Sequence, residues 1–211
     1  MSPTGAATAL PMFPLQSLLL PATVVPLHVF EPRYRALVGH CLEGDGALGT
    51  VLIERGSEVG GGDQRFAVGT RARLVAAEAT ADGRWLVVVA GESRLRVSRW
   101  LGESPFPRAE VEDLPEQPDP EAAARLGPLA GQVLRAHRLR AELDGEAAPA
   151  ALPELDADPA QALWQLIALA PLAVLDHQRL LELDGAAERA RALARFLDEE
   201  LAVLARRRDQ G

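Results

Sequence analysis

Three prolines within seven residues, Leu114-Pro-Glu-Gln-Pro-Asp-Pro120, divide the chain near residue 118. Proline has no backbone N–H and drives the residue before it out of helical geometry, so neither a strand nor a helix runs through this stretch. The patterning changes across it. Residues 1–118 carry short β-type runs punctuated by Gly and Pro, whereas residues 119–211 are rich in Ala, Leu, Arg and Glu at helical spacing. The expected class is α+β with two domains: a β-rich lobe over 1–118 with one helix, then an α-helical bundle lobe over 119–211. With 211 residues the chain is long enough to bury a real core.

Strands are expected at 12–15, 23–27, 47–54, 66–76, 84–91, 95–101 and 108–114. The run Trp85-Leu-Val-Val-Val89 reads as a buried strand. Asp82-Gly83 before it reads as a hairpin turn. The helix of the first half starts at Glu31-Pro32, with Pro at its first position, and ends at Gly44-Asp-Gly46. Tyr34, Leu37, Val38, Cys41 and Leu42 form its apolar spacing. The glycine-rich stretch 56–63 has the composition of a hairpin tip. Further helices are expected at 120–143, 159–170, 176–183 and 186–208, with Gly127-Pro128 kinking or splitting the first. On the last, Ala186, Ala190, Leu193, Leu197, Leu201 and Leu204 make one apolar stripe. Residues 144–158 are expected to form a mobile loop.

Composition removes several chemistries. All 22 basic residues are Arg, because the chain contains no Lys. A phosphate loop ending in G-K-[ST], a Schiff-base lysine and a Ser-Lys dyad are therefore impossible within it. A net charge of −8 disfavours non-specific duplex binding. One cysteine, Cys41, permits no internal disulfide and suits a reducing compartment. The first ten residues lack the basic start of a secretory signal, and the expected location is the cytoplasm. His28, His40, His137 and His177 are scattered, so no metal site and no cofactor is expected.

The motifs resemble a known family. Leu10-Pro-Met-Phe-Pro-Leu15, Leu19-Leu-Pro21 and Pro26-Leu-His-Val-Phe-Glu-Pro-Arg-Tyr34 are similar to the opening of the Lon protease N-terminal (substrate-binding) domain. Asp45-Gly-Ala-Leu-Gly49, Val68-Gly-Thr70, Asp82-Gly-Arg84 and Gly91-Glu-Ser-Arg94 follow in the family's order. Leu180-Leu-Glu-Leu-Asp184, Glu188-Arg189 and Glu200-Leu201 resemble its helical end. Ala22 stands where the family usually has Gly. The resemblance implies a twisted, β-barrel-like (PUA-like) lobe plus a helical lobe. It also implies a non-enzymatic module that recognises unfolded or tagged polypeptides or another protein, without Lon's ATPase and protease modules.

Two sets of residues are candidates for that surface. Glu31, Arg33 and Tyr34 carry the family's signature; read structurally, they cap the helix, pair a carboxylate and pack in the core. The stretch 64–99 holds seven Arg against three acidic residues. Within it Arg71 with Arg73, and Arg94 with Arg96, are i,i+2 pairs that each share a sheet face. If those faces coincide, they form a cationic patch for acidic polypeptide segments. The alternative reading is nucleic-acid binding through the barrel and the same arginines, which the acidic balance and the scarcity of aromatics disfavour. No membrane contact is expected.

Overall fold

A computed structural model describes residues 8–55 and 64–210. The glycine-rich stretch 56–63 lies outside the described residues. The chain forms two compact units, Met1–Pro115 and Glu116–Gly211. The division falls slightly before the expected residue 118, because Glu116 is tied to the helices by Arg189.

The first unit contains β1 (Thr8–Leu15), β2 (Val24–Val29), α1 (Pro32–Glu43), β3 (Ala47–Arg55), β4 (Gln64–Arg65), β5 (Val68–Ala79), β6 (Trp85–Trp100) and β7 (Arg108–Leu114). The sheet order is β1-β7-β6-β5-β3, and β1 also pairs in parallel with β3, so five strands close on themselves. Closure removes the free edges that an open sheet would present. Leu10, Met12, Val51, Leu95, Ala109 and Val111 fill the interior.

β5 and β6 are longer than the barrel needs. Their far halves, joined by a turn at Gly83 (φ 77°), run on and pair with each other, and β2 joins β6 alongside. The expected strands 84–91 and 95–101 are therefore one strand. The register shifts opposite Arg71/Ala72, where Glu92 is the extra residue, and the ladder continues past this bulge. α1 covers one face of the three-stranded extension, burying Tyr34, Leu37, Val38 and Cys41 against Val29, Val87 and Val89. Leu42 instead is 51% exposed.

The segment between β1 and β2 crosses the sheet where β5 and β6 leave the barrel. Thr70 Oγ1 donates to Leu19 O at 2.6 Å, and Gly91 N–H donates to Thr23 O at 2.8 Å. The crossing is tight. A Cβ on Gly91 would stand 2.2 Å from Leu20 O. Ala22 closes the crossing at φ 57°, the one non-glycine residue with positive φ among the described residues.

The second unit comprises α2 (Pro120–Asp144), α3 (Pro159–Leu169), α4 (Val174–Glu182) and α5 (Ala186–Gln210). Asp119 caps α2, accepting from Glu121 and Ala122 N–H, and Gly145 closes it in left-handed geometry. α2 runs unbroken through Pro128 rather than splitting there. Buried Ala122 and Leu129 hold the helix on either side of the lost hydrogen bond. The apolar stripe of α5 is buried as spaced, from Ala186 to Leu204. The 144–158 loop is tied down. Arg138 donates to Pro149 O and Ala150 O, and Asp156 N–H donates to Gln165.

α5 also buries a charge. Arg189 is 0% exposed. Its guanidinium meets both Glu116 oxygens at 3.1 Å, donates to Leu180 O and Leu183 O, and stacks on Trp164 at 4.2 Å. A buried cation needs such a full set of partners, because desolvating it unpaired is prohibitive.

Candidate functional site

The extension has two faces, and only one is covered. Along its ladder the outward rungs are Val24, Ala90 and Arg73; Pro26, Val88 and Ala76; then His28, Leu86 and Glu78. The inward rungs, such as Leu27, Val87 and Ala77, lie under α1. Val24 is 60% and Leu86 39% exposed. A bulge between Leu74 and Ala76 adds Val75, 53% exposed. The result is a solvent-facing, largely aliphatic sheet face with a shallow depression of about 470 Å³ lined by Pro26, Ala76, Leu86 and Val88. The valine run of β6, expected as a buried strand, is buried on one face only. Leu86 and Val88 point outward.

Arginines fence this face where it meets the barrel. Arg71 and Arg73 lie on the same side of β5 as Gly69, whose neighbour in register is Leu95 of the barrel interior. That side emerges from the barrel past the two arginines onto the open face. Arg71 Nε donates to Asp113 at 2.7 Å, and Arg73 pairs with Glu92 and donates to Asp45 O. The Glu92 carboxylate, by its hydrogen bond and its charge, raises the Arg73 pKa above the ordinary arginine value.

The expected cationic patch does not form. Arg94 is registered with Thr70 and Arg71 with Ser93, so the two arginine pairs point to opposite faces. Arg94 is 1% exposed, because the segment held by Thr70 crosses the sheet beside it; it is not a surface group. Arg96 is exposed, on the face away from Arg71. Carboxylates supplied from inside and outside the 64–99 stretch neutralise it: Glu103 for Arg65, Asp113 for Arg71, Glu92 for Arg73, Asp82 for Arg84 and Glu110 for Arg99.

Glu31, Arg33 and Tyr34 lie at the start of α1, on the covered side of the extension. Tyr34 is buried, stacked on Phe13 with ring centroids 4.3 Å apart, and the Arg33 guanidinium sits 4.5 Å above its ring. Glu31 occupies the N-cap position but makes no side-chain cap. Its carboxylate takes Arg33 Nε at 3.1 Å instead. The structure does not bring this trio together with Arg71 and Arg73.

The cysteine and two of the four histidines are enclosed or bonded. Cys41 is a buried free thiol whose pKa is pushed up to about 11, by burial first and then by the Asp45 carboxylate. His137 and His177 ring nitrogens bond Leu169 O and Ile167 O. Among the described residues no three His, Cys, Asp or Glu side chains are grouped to hold a metal ion. Among them, too, no helix is long and apolar enough to cross a membrane.

Comparison with known proteins agrees with this architecture. The family model described as the ATP-dependent protease La (LON) substrate-binding domain matches residues 9–199. Lon protease 2 of Herpetosiphon aurantiacus is 31% identical over 95% of this chain, and Lon protease of Cytophaga hutchinsonii 26% over 96%. The chain spans only 25% of the length of each. A crystal structure of a Lon N-terminal domain protein from Xanthomonas campestris superposes with a TM-score of 0.63 at 28% identity, covering 90% of this chain and 98% of that one. The N-terminal domain of a Mycobacterium avium complex Lon protease shares the fold, with a TM-score of 0.64 at 19% identity and the same coverage. A closed barrel with a three-stranded extension, a following helical unit and a family match over most of the chain lead to one assignment: the chain belongs to the Lon substrate-binding domain family.

Proposed function

We propose that this chain recognises polypeptides without chemistry of its own, and that the open face of β2, β6 and β5 holds them. The observation that carries the reading is the aliphatic face itself, left to water in a chain of a substrate-binding family. Fully burying one large aliphatic side chain stabilises by about 1.5–3 kcal/mol. Covering Val24, Val75 and Leu86 together, from their partial exposure, supplies a few kcal/mol, which suits weak recognition of many clients. The face has few polar anchors, and Arg71 and Arg73 at its border are committed to carboxylates. Selection therefore follows apolar content more than sequence. The buried free thiol of Cys41 suits work in the cytoplasm.

The test is binding of a permanently unfolded client, a reduced and carboxymethylated protein, followed by fluorescence anisotropy. Leu86→Arg places a charge on the middle strand of the face, with Glu78 beside it as partner. It should weaken binding at least about tenfold while the melting temperature stays nearly constant, as for most surface changes. Val24→Ser should act in the same direction. A folded Leu86→Arg protein that binds as tightly as the wild type removes the face as the site. A wild type that binds no unfolded client removes the function.

A further inference from the structure

The three-stranded extension of the first unit ends in a free edge. β2 pairs with β6 and, among the described residues, with no other strand. Gly91 N–H donates to Thr23 O at 2.8 Å, so the backbone of Thr23 turns toward β6. Bonding direction alternates along a strand. Val25 and Leu27 therefore turn toward β6 as well, and Val24, Pro26 and His28 turn outward. Pro26 suits that placement, because a residue without an N–H is tolerated in a sheet where the donor would have faced solvent. The edge offers the carbonyls of Val24, Pro26 and His28 and the N–H groups of Val24 and His28. Among the described residues nothing bonds these groups, and all three residues are exposed.

The same alternation ties the edge to the open face. Residues two apart share both a bonding direction and a side-chain face, so Val24, Pro26 and His28 also carry their side chains on the open face. A strand added beside β2 would set the side chains of its bonded residues opposite theirs and widen the aliphatic face by one strand. The distal part of β5 forms the opposite edge, since β3 pairs with β5 only from Thr70 to Arg73. There Thr80 N–H donates to Arg84 O, so Ala77 and Ala79 are the residues turned outward. Ala77 packs on the α1 side, and a strand added there would set its bonded side chains toward the covered face. β2 is the edge that serves the open face.

Pro26 also bears on the occupant. Two copies of β2 laid antiparallel over their full length would set Pro26 against Pro26, where neither residue has an N–H to give. A proline-free strand loses only one of those two bonds. We propose that an extended, proline-free client segment with alternating apolar residues adds to β2 as an antiparallel strand. Its apolar side chains lie on the open face, and their amides bond Val24, Pro26 and His28. The proposal rests on the open face being the client site.

Three labelled peptides of about six residues, alternating Leu with Thr, test it by fluorescence anisotropy. One is unmodified, one is N-methylated on every Leu amide and one on every Thr amide. Burial of Leu on the open face fixes which amides meet β2. The Leu-methylated peptide should bind at least about tenfold more weakly than the unmodified one, and the Thr-methylated peptide within about threefold of it. His28→Pro should weaken the unmodified peptide about fivefold relative to His28→Ala, since the first lacks the edge N–H and the second keeps it. The extended conformation of Leu27 already suits a following proline. Should His28→Pro fail to fold, the methylated peptides decide the question on the wild type. Equal binding of the two methylated peptides overturns the added strand. So does a wild type that takes up the unfolded client but not the unmodified peptide, or a folded His28→Pro protein that binds as tightly as His28→Ala. Each of these results leaves the open face standing, provided Leu86→Arg loses the unfolded client. If Leu86→Arg keeps the client, the face and the strand fall together.

Discussion

Gly91→Ala adds a single methyl group at the most crowded backbone crossing of the first unit. The new Cβ would stand 2.2 Å from Leu20 O, 3.0 Å from Leu20 C and 3.2 Å from Thr70 Cγ2. Ordinary carbon–oxygen contacts begin near about 3.3 Å, so the two backbones must part by about 1 Å. Both are anchored. Gly91 N–H bonds Thr23 O at 2.8 Å, Ala22 N–H bonds Gly91 O at 3.0 Å, and Thr70 and Thr23 hydroxyls hold Leu19 O and Leu20 O at 2.6 Å. Each such bond contributes about 0.5–1.5 kcal/mol net. Overpacking adds about 1–3 kcal/mol. Weakening two bonds and straining the crossing should therefore cost about 2–4 kcal/mol, a large part of a typical 5–15 kcal/mol. At about 4–8 °C per kcal/mol for a unit near this size, the melting temperature should fall on the order of 10–20 °C. Urea titrations followed by tryptophan fluorescence measure the loss directly. Gly102→Ala is the control, since a Cβ there meets nothing within 4 Å. A Gly91→Ala protein as stable as the Gly102→Ala protein would refute the reasoning.

Ala22→Gly should stabilise by about 0.5 kcal/mol, because φ 57° costs an L side chain about 1–2 kcal/mol and glycine's added chain entropy returns about 0.5–1; the urea midpoint checks it. Arg189→Ala should destabilise the helical unit by about 3–5 kcal/mol, removing the buried cation that Glu116 faces, as read by thermal loss of helical circular dichroism. Burial lowers the His177 pKa, so the folded protein keeps this ring neutral where the unfolded chain binds a proton. Its contribution is full above the ordinary histidine value and falls away as pH drops below about 6.5. Melts from pH 8 to pH 5 should show that decline, and His177→Gln should flatten it.

The elements of the first unit were legible because turn chemistry punctuates them. Glu31-Pro32, Gly44-Asp-Gly46 and Asp82-Gly83 each stand at the boundary expected of them. The break expected between residues 91 and 95 was not real. A bulge at Glu92 inverts the alternation without ending the ladder, and a two-residue period cannot tell those cases apart. The cationic patch failed for a related reason. Charge counted along the chain omits partners from neighbouring strands, and Glu103, Glu110 and Asp113 lie outside the 64–99 stretch. Val24, Val75 and Leu86 gave no signal of exposure, since valines under a helix and valines facing water read alike. In the helical unit the stripe of α5 was plain, but Arg189 within it was not. One charge among apolar neighbours looks like surface until its partners, Glu116 and the carbonyls of Leu180 and Leu183, are in place.

β5 and β6 close the barrel at one end and build the open face at the other, so the two regions have no separate framework. The pair behaves as a plank clamped at one end. Fraying at the Gly83 tip can travel only to the crossing at Gly91, where the Leu19–Leu20 segment pins it. Hydrogen exchange should therefore divide the same two strands into a fast distal half and a slow proximal half, with the step at the bulge. A client laid on the open face would slow exchange in the distal half alone. The protein would thus carry an internal reference, its own barrel amides, against which occupancy of the face is read.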